Sequence, residues 1–237
     1  MTFNYPTRKD GLFLLRNKDY EDIGEKVLKE YAPYMLKRAC ELDLEKLADA
    51  LGLLIDEEYL SVDGSILGAI AFDDTEEVYY DFAMRPKKVK MGQGQILIDP
   101  RLNGLYSYGR KRYTIAHEIG HWLTQRTYHS PTNQQYEYRK SVVVCRSESI
   151  ENASKNKDWV EIQANRTAAS LLMPKENFIN TAEEIISHAG LLGNCLQESR
   201  IMEERSREVI SAIAECYGVS KKAAEIRLSQ LNLIKRA

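Results

Sequence analysis

A chain of 237 residues, 43% of them hydrophobic, can bury the core of one large domain or of a domain with a helical annex. Its 29% of charged residues nearly cancel, to a formal net charge of -2, so there is no basic excess to mark nucleic acid as the main partner. No stretch approaches the roughly 18 consecutive apolar residues of a membrane span, and the apolar run Leu12–Leu15 is too short for a signal-peptide core.

Residues 1–20 are polar and mixed and read as an arm leading into a helix over Glu21–Tyr31, whose Ile23, Val27 and Tyr31 share one face. Asp43 is the N-cap of a second helix that runs through Leu44, Leu47, Ala48 and Leu51 and is stopped by Gly52. From Leu53 to Leu102 the pattern changes to short strands. Leu53–Ile55, Ile66–Phe72, Val78–Tyr80, Lys88–Met91 and Gln95–Ile98 are apolar or alternating runs bounded by Asp, Gly or Pro. They predict a small antiparallel sheet, and an edge strand of such a sheet can pair with an extended substrate backbone.

The stretch Tyr113–Leu123 contains His-Glu-x-x-His. On a helix His117 and His121 project from nearly the same face, where two neutral imidazoles can hold one zinc ion. Glu118 sits one position round the helix and points beside the metal, where a general base for an activated water belongs. Ile115, Ile119 and Leu123 form an apolar stripe that anchors the other side. Thr114 is the expected N-cap, and Gly120 lets a neighbouring segment come close.

A long polar connection follows, Thr124–Asp158, with one apolar patch at Val142–Cys145. Beside a catalytic centre it reads as a lid or specificity loop, or as partly disordered. Trp159–Met173 is the next helix, ended by Pro174. Its stripe of Glu161, Ala164 or Asn165, Ala168 and Leu172 carries small residues that permit close packing. Thr181-Ala182-Glu183-Glu184 reads as a capping box for a short helix ending near His188. Val209–Tyr217 and Ser220–Leu231 outline a helix-turn-helix. Over 198–237 Lys and Arg only narrowly outnumber Glu, which favours a packing hairpin over a DNA reader. Cys40, Cys145, Cys195 and Cys216 form no CxxC pair and read as reduced thiols in a cytoplasmic protein.

A catalytic zinc takes three protein ligands and leaves one position open. His129, Glu148 and Glu151 compete for the third place, but no helical stripe aims them. His129 also misses the spacing of a third histidine six residues after the second. Glu161 opens a helix able to pack on the first and is the expected ligand. Asn165, one turn on, is placed to orient one. Tyr113 and Arg166 adjoin the motifs and read as structural.

The runs Arg-Tyr-Thr-Ile-Ala-His-Glu-Ile-Gly-His, 112–121, and Glu-Ile-Gln-Ala-Asn-Arg-Thr-Ala-Ala-Ser-Leu-Leu-Met-Pro, 161–174, together resemble the ImmA/IrrE family of metallopeptidases. Gly-Gln-Ile-Leu-Ile-Asp at 94–99 and Tyr-Gly-Val-Ser at 217–220 extend the likeness to about residues 43–231. The resemblance implies an α+β, zincin-like fold with a small antiparallel sheet, an active-site helix and C-terminal helices. The expected parts are an arm and helix at 1–42, a metallopeptidase core at 43–180 and a helix-turn-helix-like region at 181–237 packed on that core. The implied function is zinc-dependent, site-specific endopeptidase action on a DNA-binding repressor. His117, His121 and Glu161 would hold one zinc ion, and Glu118 would move the proton. A protein is the expected partner, with no membrane and no direct nucleic acid. The alternatives are a regulatory DNA- or protein-binding module with a structural zinc, and a zinc hydrolase of a non-protein substrate.

Overall fold

The computed structural model describes residues 2–129, 141–146, 158–189, 196–197 and 200–235. Helix α1 (Asn17–Tyr31) starts earlier than Glu21 because Asp19 turns back to accept the Arg16 backbone N–H at 2.7 Å. The arm before it is not wholly irregular. Thr7 and Phe13 form a β-bridge, and Phe13 and Leu15 are buried in the main core. Helix α2 (Leu44–Ala50) is capped as predicted, with the Asp43 carboxylate accepting from the Lys46 N–H.

Eight strands occur among the described residues: β1 (Leu54–Glu57), β2 (Ile66–Ala71), β3 (Thr75–Tyr80), β4 (Pro86–Met91), β5 (Gln95–Ile98), β6 (Val142–Arg146), β7 (Leu196–Gln197) and β8 (Ile234–Lys235). Four of them form the sheet that positions the site, in the order β1-β5-β2-β6. Its pairs are antiparallel except β1 with β5, which run parallel because the long excursion through β2, β3 and β4 brings the chain back in the same direction. β3 and β4 pair separately as an antiparallel hairpin.

Alternation along the strands gives the sheet two covered faces. Ile70, Phe72, Ile96 and Ile98 join the main core on the helix side. Ala69, Ala71 and Leu97 join a smaller cluster with Tyr79 and Met91 of the hairpin. Each fully buried aliphatic side chain on such a face contributes about 1.5–3 kcal/mol. The apolar patch of the long connection is thus strand β6, an element its mixed surroundings hid. The expected lid falls largely on 130–140 and 147–157, outside the described residues.

The helical layer contains α3 (Tyr108–Gln125), α4 (Trp159–Leu172), α5 (Lys175–His188), α6 (Arg200–Tyr217) and α7 (Lys221–Gln230). Two expected helix starts are corrected. Helix α3 begins at Tyr108, so Thr114 is no cap: its hydroxyl donates to the Arg110 carbonyl at 3.0 Å, one turn back. Helix α5 begins directly after Pro174, so Thr181 lies inside it and its hydroxyl donates to the Asn177 carbonyl at 2.9 Å. In both cases the chain was already helical before the Thr, leaving no free N–H groups to cap. The α6–α7 hairpin packs on the same core, with Tyr217, Ala224 and Leu228 buried in it. No helix among the described residues is long and apolar enough to cross a membrane.

Candidate metal centre

Helix α3 places His117 and His121 one turn apart, with ring centroids separated by 4.5 Å and planes at 85°. Helix α4 crosses it closely because position 120 is Gly. A Cβ there would come within 2.6 Å of the Ala164 carbonyl oxygen, so any other side chain would force the helices apart. The crossing brings the start of α4 onto the two imidazoles. Glu161 Oε2 lies 3.5 Å from His117 Nε2, and Oε1 lies 3.6 Å from His121 Nε2.

The far side of each ring decides its tautomer. His121 Nδ1 is 2.8 Å from Gln125 Oε1. The Gln125 amide is oriented by its own Nε2–H, which donates to the Val160 carbonyl at 2.7 Å, so the oxygen must face the histidine. His117 Nδ1 is 3.1 Å from Asn165 Oδ1. With amide oxygens as partners, both Nδ1 atoms donate and both Nε2 atoms keep their lone pairs. Those Nε2 atoms face each other at 2.9 Å beside a carboxylate. Two lone pairs at that distance repel, and a cation among them removes the conflict. His117, His121 and Glu161 have their ligand atoms within 4.8 Å of one another and could hold a metal ion. The donor set of two imidazoles and a carboxylate therefore fits one.

Both histidines and Glu118 are 0% exposed. Burial drives His121 down to about 3, helped by the neighbouring His117, so it stays in the neutral form that binds metal. Among the described residues, neither carboxylate oxygen of Glu118 has a hydrogen-bond partner. Burial first, and then the charge of Glu161, push the Glu118 carboxyl well above the ordinary carboxylate range. The space it occupies exists because β2 carries Gly68 there: a Cβ at that position would lie 2.6 Å from Glu118 Oε1.

Other residues named from the sequence lie elsewhere. His129 is stacked on Phe72, with centroids 4.2 Å apart, in an aromatic group with Trp122. Glu148 and Glu151 lie outside the described residues. The Tyr113 hydroxyl donates to the Asn165 backbone carbonyl at 3.1 Å, and Arg166 lies over the Tyr20 ring of α1. Gln125 went unnoticed, although it continues the four-residue spacing of His117 and His121 and the stripe alone could have found it. Gly68 and Cys145 had no local signal, because only strand pairing brings them to Glu118.

A search of the curated proteins gives no match. The model of peptidase family M78, described as an IrrE N-terminal-like domain, matches residues 78–229. That span runs through the His-Glu-x-x-His helix, the Gly120 crossing and the helix that carries Glu161, and over such a length it shows that the chain belongs to the M78 peptidase family with its IrrE N-terminal-like domain.

Proposed function

We propose that this peptidase is a zinc-dependent endopeptidase, with one ion held by His117, His121 and Glu161 and with Glu118 as general base. The observation that carries the reading is the convergence of two imidazole lone pairs and a carboxylate next to a buried carboxylate that has no hydrogen-bond partner among the described residues. A structural site has no use for that second carboxylate. Two nitrogens and one carboxylate oxygen are a common catalytic zinc set. Zinc bound there would act as a Lewis acid, making a water more acidic and a peptide carbonyl more electrophilic.

The chain's own residues do the rest. Glu118, whose oxygens have no other hydrogen bond among the described residues, accepts the proton of the attacking water and delivers it to the leaving amine. Gln125 and Asn165 hold the imidazoles so that the same nitrogen always faces the ion. An extended polypeptide pairs with β6, the edge strand next to β2 among the described residues.

The proposed substrate is a DNA-binding repressor of the helix-turn-helix type, on the likeness of the 112–121 and 161–174 runs to the ImmA/IrrE family. The cytoplasm is the proposed compartment. The test is incubation of the purified full chain with the product of the neighbouring gene, with zinc and after chelation. Cleavage at one site that needs the metal is the expected result. No cleavage, or cleavage that survives chelation, overturns the reading.

A further inference from the structure

Cys145 is a buried thiol that the proposed mechanism does not use. It lies on β6 and is paired in register with Gly68 of β2, the residue whose missing side chain makes room for Glu118. Alternation puts Cys145 on the same face as Val143, which packs toward the main core, while Val142 faces the smaller cluster behind the sheet. The thiol therefore points at the metal side. A ring nitrogen of His117, a carboxylate oxygen of Glu118 and Cys145 Sγ all lie within 4.8 Å of one another.

A buried cysteine is ordinarily a small hydrophobe. Here its neighbours are polar: the His117 imidazole and the Glu118 carboxylate, which is 0% exposed and, among the described residues, has no hydrogen-bond partner on either oxygen. Nitrogen and sulfur ligands on one zinc lie roughly 3.6 Å apart, given bonds of about 2.0–2.1 and 2.3 Å at tetrahedral angles. Against the 4.8 Å bound on its separation from the His117 ring nitrogen, ligation requires the Cys145 side chain to move toward His117 and to turn toward His121 and Glu161.

We propose that Cys145 is a further metal ligand, which joins His117, His121 and Glu161 and occupies the position that a three-residue catalytic set leaves open. On ligation the thiol gives up its proton, for which the Glu118 carboxylate is the acceptor within reach. The chain then blocks its own centre from the sheet edge, and a substrate must displace Cys145 to be cut. The inference rests on the metal-centre reading above and adds to it a resting, self-ligated state.

The test is reconstitution of the purified full chain with cobalt(II), followed by absorption spectroscopy. The wild type is expected to bind one cobalt and to show the intense near-ultraviolet thiolate-to-cobalt charge-transfer band beside the weak visible bands. Cys145→Ser should lose the charge-transfer band, keep the visible bands and bind cobalt at least about tenfold more weakly, the scale that even loss of a ligand's outer partner costs. A variant with Cys40→Ala, Cys195→Ala and Cys216→Ala leaves β6 untouched and should keep the band. Cobalt bound with no such band in the wild type, or a band lost in the triple variant, overturns the assignment of Cys145 and leaves the metal centre standing. No stoichiometric cobalt at all overturns both.

Discussion

Two amides decide what the two imidazoles can do. Because Gln125 and Asn165 offer oxygen to Nδ1, each histidine presents a lone pair from Nε2 at every moment, and no tautomer has to be selected when the metal arrives. Gln125→Ala should lower zinc affinity by roughly 10–100-fold. Glu161→Ala, which removes the proposed third ligand, should lower it further, and His129→Ala should keep wild-type affinity because that ring is committed to Phe72. Competition against a chromogenic chelator measures all three. Normal affinity in Glu161→Ala would show that the third ligand lies elsewhere. Glu118→Gln should still bind zinc and cut its protein substrate about 10²–10⁴ times more slowly, since an amide cannot take the proton. A folded, zinc-loaded Glu118→Gln that turns over at the wild-type rate would remove the general base from the mechanism.

At the scale of elements, the centre is a product of one helix crossing. α3 supplies His117, Glu118, His121 and Gln125, but Glu161 and Asn165 reach them only because Gly120 lets α4 approach. Gly120→Ala should therefore cost about 1–3 kcal/mol of stability, as overpacking does, and weaken zinc binding in the same step. Urea denaturation and zinc titration of that variant check it, and an unchanged midpoint with unchanged affinity would mean that the helices can spread at no cost. The close approach at Gly120 was legible from its place in the motif. The partner helix was legible from the small-residue stripe behind Glu161, but the contact with the Ala164 carbonyl was not, since nothing in 112–121 points to that residue. Likewise Val142–Cys145 read as an apolar patch in a polar connection. It becomes a strand because β2 offers an unpaired edge, and no local propensity carries that information.

Across the whole molecule, Arg227 ties the termini to the core. It is 2% exposed and makes two bonds of 2.7 Å to the Glu21 carboxylate of α1. It also donates to the Met173 carbonyl at the end of α4 through Nε at 3.1 Å and Nη2 at 2.8 Å. Arg227→Met should lower stability by about 3 kcal/mol, the low end for breaking a buried pair because Glu21 is partly exposed. Lys221→Ala with Lys222→Ala should leave stability unchanged, as both are exposed. Equal denaturation midpoints for Arg227→Met and wild type would refute the anchoring role. A hairpin held in this way is a closing element, and in a gel shift at moderate salt the wild type should show no sequence-specific DNA binding. Tight binding there would favour the regulatory alternative. Gly109 marks a second tie: a Cβ at that position would meet the Ser220 backbone nitrogen at 2.5 Å, where α3 meets the start of α7.

What the sequence determined by itself is the chemistry that helical spacing encodes locally. The pairing of His117 with His121, the neighbouring Glu118, the small-residue face behind Glu161 and the Asp43 cap all depend on residues within a few turns of one another. The tertiary structure alone decided the rest. The starts of α1, α3 and α5, the parallel β1–β5 pair, the recruitment of β6, the approach of Cys145 to Glu118 and the burial of Arg227 depend on partners far away in the chain. Such partners are chosen by which surfaces remain to be buried and which backbone edges remain to be paired once the elements meet. A charged residue near the C-terminus reads as a surface group until a carboxylate at the other end of the chain claims it.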